Sequence, residues 1–275
     1  MHTNTKQELI IEMNETVNKK MDDLPELPKI SNYMKRPWAE DEPPIVPKKP
    51  KYLIEGRVRS DNGKRFWSLI KPLGKGGCGE VFLAKEDGLE SIVALKVVKD
   101  KKQYASELKV MKILNNHPFG RGNTPKLICA CRKSKALIME YLSDPLSLQF
   151  EKAGYKFSLK TCLMLAINML KSSRSFYERT GLVHVDIKPS NFCVGPDGRN
   201  LYLIDFGYST NPDVKLPGQT GTPLFMAWTI QTIGNTYPCW LDDLESIGYV
   251  IMVRDHHLTN SFLLLEARKV FLGEA

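Results

Sequence analysis

The sequence has no metal-type pairing among its cysteines, no long apolar run and no internal repeat, and each absence removes a class of protein. Its six cysteines are scattered. Cys129 and Cys131 have a single residue between them, too close for the CxxC signature of zinc or thiol redox sites. The expectation is reduced, buried thiols in an intracellular protein. No segment approaches the ~20 apolar residues of a membrane span, and the start, MHTNTKQELI, lacks the apolar stretch of a signal peptide. No membrane partner is expected, and the location read from these features is the nucleus or cytoplasm.

What is present is a globular composition. Hydrophobic residues make up 42% and charged residues 25% of the 275, enough to bury one large core or two lobes. A net charge of +8 raises a nucleic-acid reading, because lysine attracts phosphate backbones. Along the sequence the lysines are spread rather than gathered on one helix, so no specific nucleic-acid partner is expected.

Residues 1–60 differ from the rest. A short helix is predicted from Lys6 to Met21, and Asp22 to Tyr52 is rich in proline and charge. Such a stretch buries too little apolar surface to offset its ordering entropy, so a flexible arm is predicted. Lys35 and Arg36, then Lys48, Lys49 and Lys51, form two basic clusters of the kind a nuclear import receptor reads. A solvated charged linker has the same composition, and both readings stand.

From Arg65 onward the periodicity changes. Phe66, Trp67, Leu69 and Ile70 read as a strand, glycines follow, and Val81, Phe82 and Leu83 resume as a second strand. Ser91 to Val98 reads as a third strand, Tyr104 to Leu114 as a helix carrying Leu108, Met111, Ile113 and Leu114, and Ala136 to Leu142 as a further strand. Leu159, Leu163, Ile167, Leu170 and Tyr177 are predicted to mark the apolar face of a long helix. Ser158 is its predicted N-cap and Gly181 its stop.

Four motifs carry chemistry. In LGKGGCGEV, Gly74, Gly76 and Gly79 satisfy GxGxxG, a spacing that lets backbone approach phosphates. Because Val81 to Leu83 continue as strand, the loop is expected to fold over a nucleotide rather than open a helix. Lys96 ends the apolar run Val93, Ala94, Leu95, and a lysine on a buried strand needs a partner; Glu107 on the next helix is the candidate. In HVDIKPSN, Asp186 supplies a carboxylate to accept a hydroxyl proton, Lys188 a cation for a transferring phosphoryl group, and Asn191 an oxygen for magnesium. In Leu203, Ile204, Asp205, Phe206, Gly207, an apolar strand delivers a second carboxylate suited to a hard cation.

These motifs, in this order, resemble the protein kinase superfamily over about residues 65 to 253. HVDIKPSNF, the pair Gly221–Thr222 without an APE motif, and DDLESIGYV from Asp242 to Val250 resemble the casein kinase 1 group. FSLKTCLMLAINML is similar to its tau-tubulin kinase branch, and vaccinia-related kinases belong to the same group. The resemblance implies an α+β, bilobal fold with a small β-rich lobe and hinge at 65–142 and a mostly helical, shortened large lobe at 143–275. It implies a serine/threonine protein kinase using ATP and Mg2+ on a protein substrate, with a preference for acidic sequences in some relatives. Asp186 and Lys188 would be catalytic, and Asn191 and Asp205 would hold the metal. Leu73, Gly74, Lys75, Gly76, Gly77, Cys78, Gly79 and Val81 would cover the phosphates, Lys96, paired with Glu107, would contact the α and β phosphates, and Glu140 and Leu142 in the segment from Met139 would hold adenine. Asp243 would anchor the catalytic loop.

The chain departs from that pattern in three places. Val185 replaces the arginine that reads an activation-segment phosphate in many members, which implies activity not gated that way. Pro238, Cys239, Trp240 and Leu241 stand where basic residues help relatives bind acidic substrates. The helices that complete the large lobe in relatives are not found, and Arg254 to Ala275 offers one more amphipathic helix. An alternative follows, a kinase-like scaffold that binds ATP and turns over poorly.

Overall fold

Alternation in the third predicted strand decides where the molecule's two apolar layers meet. Val93, Leu95 and Val97 join one buried cluster with Trp67, Phe82 and Ile138, whereas Ala94 and Val98 face another with Leu108, Met111 and Phe206. Successive side chains of a strand point to opposite faces, so Lys96 is delivered to the second face. The computed structural model describes residues 56–154 and 157–252. The arm's helix and basic clusters, and the helix predicted at Arg254 to Ala275, lie outside the described residues.

The small lobe is an antiparallel sheet of six strands: β1 (Arg57–Arg59), β2 (Phe66–Lys75), β3 (Gly79–Glu86), β4 (Ile92–Val98), β5 (Leu127–Cys131) and β6 (Ala136–Glu140), in the order β1-β2-β3-β4-β6-β5. β2 and β3 form the predicted glycine-turn hairpin, closed by a Gly76 N–H to Gly79 carbonyl bond of 2.9 Å. Helix α1 (Lys101–Asn115) follows β4 directly. Asp100 caps it, accepting from the amides of Lys102 and Gln103, which satisfies donors that a helix start leaves free. Two strands of this sheet, β1 and β5, were not predicted. β1 falls inside the segment assigned to the arm: Arg57 and Arg59 are charged, and only Val58, 1% exposed, enters the core.

The large lobe contains α2 (Leu146–Lys152), α3 (Leu159–Thr180), a two-stranded ladder of β7 (Phe192–Val194) and β8 (Leu201–Leu203), α4 (Trp228–Thr232) and α5 (Trp240–Met252). The predicted limits of α3 hold: Ser158 Oγ accepts from the Thr161 amide, and Gly181 takes the left-handed φ of 65° that ends the helix. Its predicted apolar face holds only in part: Leu170 and Tyr177 pack against buried clusters, but the face does not begin where expected. Leu159 and Leu163 are 60% and 54% exposed, and the core is met instead by Leu165, Met169 and Phe176. The helix carries apolar residues around most of its first turns, so spacing offers two stripes and packing against α5 and β8 selects one. Within these residues the chain is a bilobal α+β fold.

Candidate active site

The ends of β4, β8 and the α3–β7 connection converge under the glycine turn on one cavity of about 290 Å3. Its walls include Gly74, Gly76, Gly77, Cys78, Gly79 and Val81 above, Lys96 at the back, and Asp186, Lys188 and Asp205 below. These predicted residues from four separate motifs are therefore brought together. Gly79 is required by space: a Cβ there would lie 2.2 Å from the Val97 carbonyl oxygen.

Lys96 Nζ lies 2.7 Å from Glu107 Oε1 and 2.6 Å from Asp205 Oδ1. Burial alone would lower the lysine's pKa, but these two carboxylates outweigh it and hold the ammonium above its ordinary value. Glu107 is 1% exposed, and burial pushes its carboxyl up against the pull of Lys96. Asp205 is also penalised by burial, yet the lysine beside it holds its carboxyl below the usual range. Phe206 fixes the loop that carries Asp205. It stacks on Phe176 with ring centres 5.2 Å apart and meets His184 edge-on at 5.9 Å.

The loop after α3 is braced from beneath by Asp243 of α5. The amides of His184 and Val185 donate to its two carboxylate oxygens at 2.8 and 2.9 Å. Burial pushes the Asp243 carboxyl up to about 7, opposed by these two bonds. The clamp holds Val185 at φ 71°, a conformation that a β-branched side chain rarely adopts. Val185 is buried in an apolar cluster with Val183, Leu216, Met226 and Ile230, where the resembling kinases place a phosphate-reading arginine.

Asp186 is 3% exposed, and its Oδ2 lies 2.7 Å from Lys188 Nζ. Asn191 Nδ2 donates to the Asp186 carbonyl at 2.7 Å and to its Oδ2 at 3.2 Å. With its NH2 group so engaged, the amide oxygen is the atom Asn191 offers elsewhere. One site residue was missed as such. The Thr222 hydroxyl donates to Asp186 Oδ1 at 2.7 Å and lies 3.0 Å from Lys188 Nζ. Gly221 beside it has φ 111°, and a Cβ there would approach the Val185 carbonyl to 2.7 Å. The Gly-Thr pair was visible in the sequence, but only the fold turns it onto the catalytic loop. Tyr208 and Pro223 complete the wall.

Other predicted residues lie off this cavity. The Lys75 amine is paired with Glu80 at 2.6 Å and points to solvent. The Glu140 carboxylate is turned to Arg121 at 2.8 Å and accepts from the Lys126 amide, so its side chain is not available to a nucleotide. Leu73 and Leu142 do not line it either. Glu107 and Asn191 stand behind Lys96 and Asp186 as supports.

The donor chemistry fits a nucleotide phosphate with a hard divalent cation. Glycine amides and two lysines suit phosphate oxygens, and the Asp205 carboxylate with the Asn191 amide oxygen suits a cation of the magnesium type. Among the described residues no group of three His, Cys, Asp or Glu side chains could hold a metal by itself. The remaining ligands would have to come from phosphate and water.

Comparison with known proteins agrees with this geometry. A family described as protein kinase domain matches residues 67–250. A probable serine/threonine-protein kinase of Dictyostelium discoideum is 36% identical over 164 residues, covering 56% of this chain and 30% of that relative's length.

Proposed function

This chain belongs to the protein kinase domain family, and from that premise we propose that it transfers the γ-phosphoryl group of ATP to serine or threonine hydroxyls of a protein, in the manner of the casein kinase 1 group. The observation that carries the reading is the Asp186–Lys188 pair at 2.7 Å, placed in the same cavity as the Lys96–Asp205 contact. Bound ATP would supply the phosphoryl group, and a bound divalent cation, proposed as Mg2+, would offset charge on the phosphates. Asp186 would orient the substrate hydroxyl and take its proton as the oxygen–phosphorus bond forms. Lys188 would face the charge that develops on the moving group. Lys96 would hold the phosphates that stay behind, with Glu107 keeping its ammonium in place. Asn191 and Asp205 would present oxygen to the cation.

The serine/threonine assignment is supported by the likeness to the probable serine/threonine-protein kinase of Dictyostelium discoideum, and the casein kinase 1 assignment by the HVDIKPSNF and DDLESIGYV motifs. A small lobe with its hinge at 65–142 and a large lobe from 143 are the proposed divisions. Nuclear import through Lys48, Lys49 and Lys51 is proposed on the basic clusters; an unchanged cellular distribution after their replacement overturns it.

The test is transfer of label from γ-labelled ATP with magnesium to an acidic protein or to the chain itself. Asp186→Asn is expected to lower kcat/KM by about 10²–10⁴-fold, the usual contribution of a general base. Equal labelling by both proteins overturns the assignment. A scaffold that binds without turnover would instead show a melting shift with ATP and no transfer.

A further inference from the structure

A second cavity, of about 800 Å3, lies between α1 and the turn joining β5 to β6. At 100° per residue its helix positions, centred on Ala105, Lys109 and Lys112, face away from Glu107 and the catalytic cleft. Six cations line it. Lys101, Lys109 and Lys112 come from the helix, and Arg132, Lys133 and Lys135 come from the turn; among the described residues no acidic side chain takes part. The lysines that read as dispersed along the sequence are gathered here by the fold.

Part of this concentration opposes the stability of the helix that carries it, although Lys112 in the last turn is favoured by the helix dipole. Lys109 and Lys112 are like charges three residues apart, and Lys101 sits in a first turn that has no acidic residue, at the positive end of the helix dipole. Among the described residues, Lys101, Lys109, Lys112, Arg132 and Lys133 have no ion-pair partner. Asp61 reaches the turn, but it binds the backbone amides of Arg132 and Lys133. The remaining lining is largely apolar: Ala105, Leu108, Ile113 and Tyr104. Tyr104 is 5% exposed, and its hydroxyl is buried with no hydrogen-bond partner among the described residues.

From these observations we propose that the groove between α1 and the Arg132–Lys135 turn is a docking site for an acidic peptide segment bearing a large apolar side chain. Carboxylates meet the ring of cations, and the apolar side chain enters the concavity between Ala105 and Ile113. Nucleic acid fits less well. The one aromatic ring that the described residues place in the wall is too buried to stack a base, and an apolar concavity offers nothing to a phosphate backbone. The site is separate from the catalytic cleft and does not rest on the proposed reaction.

The test is fluorescence anisotropy with the full chain and a labelled peptide in which glutamates alternate with phenylalanine and leucine. Lys109→Glu with Lys112→Glu, and separately Arg132→Glu with Lys133→Glu, are expected to weaken binding about tenfold or more, because charges facing a ligand set its capture and retention. All four positions are exposed, so circular dichroism should remain that of the parent. Ala105→Trp, which fills the concavity, is expected to weaken binding comparably, whereas Asp186→Asn leaves it unchanged. Undiminished binding by the charge-reversed proteins overturns the proposal. Equal binding of an all-glutamate peptide would reduce the groove to a general anionic attraction, and tighter binding of a single-stranded oligonucleotide would make it a nucleic-acid surface; either result overturns it too.

Discussion

Lys96 and Asp205 are 109 residues apart in the chain and 2.6 Å apart in the fold. The same ammonium holds Glu107 at 2.7 Å, so one positive charge serves two carboxylates. The group carries an excess of negative charge, on the side where Asp205 opens to the cavity with 28% of its side chain exposed. A divalent cation arriving with phosphate would meet that excess. Glu107, by contrast, has Oε2 buried with no partner among the described residues, and its stability depends on Lys96.

Lys96→Met should therefore cost more than lost activity. It strips the cation from a buried glutamate, a change expected to cost about 3–5 kcal/mol. Adding Glu107→Leu should recover a large part of that loss. Urea denaturation of both single variants and the double variant measures the coupling; a double variant no more stable than Lys96→Met would show that Glu107 is not the stranded charge.

The glycines of the turn are expected to divide into two kinds. Gly79→Ala forces a Cβ against the Val97 carbonyl and should lower the melting midpoint with or without nucleotide. At Gly76 a Cβ would meet nothing within 4 Å, so Gly76→Ala should melt as the parent does. Any fall in its ATP-induced midpoint shift then reports how closely backbone must approach the phosphates.

Val185 leads to a prediction about control. Its side chain is packed against Leu216 and Met226 of the segment following Asp205, so apolar burial holds that segment where an arginine–phosphate pair would otherwise act. Phosphatase treatment should leave the transfer rate unchanged. Val185→Arg places an unpaired guanidinium in the cluster and should lower the rate by up to ~10²-fold, through displacement of the neighbouring Asp186. Full activity of this variant would contradict the packing argument.

Acid sensitivity should trace to His184. Its Nε2 lies 3.1 Å from the Ile204 carbonyl and so carries the proton, while Nδ1 is buried with no partner among the described residues. Burial holds the imidazole pKa below its ordinary 6.5. The folded state thus binds fewer protons than the unfolded chain below pH 6.5. The contribution is fully present above that pH and is lost as pH falls toward the folded value, at ~1.4 kcal/mol per unit of depression. Melting midpoints from pH 8 to 5 should fall for the parent, and the fall should be shallower in His184→Gln.

Much of the site was legible because its motifs are local. The glycine spacing, Lys96 at the end of an apolar strand, and the Asp186–Asn191 run each place several functional atoms within a few residues, where backbone geometry alone sets their relations. Ser158 and Gly181 bounded α3 for the same reason, since capping uses bonds to residues at most four positions away. Thr222 was seen only as part of a motif, because its hydroxyl acts on Asp186 from 36 residues downstream.

Strand and helix types, the hairpin turn and the catalytic residue types follow from the amino-acid sequence by itself, through short-range periodicity and the chemistry each side chain can perform. Tertiary structure alone decided which stripe of α3 entered the core, leaving Leu159 and Leu163 in solvent. It also turned the Glu140 carboxylate away to Arg121 and set two local runs of cations, Lys101 to Lys112 and Arg132 to Lys135, on one face. These outcomes depend on which distant surfaces compete for burial and on how separate elements bring their charges together. A period of 3.6 or 2 says which residues share a face, and only packing says what that face meets.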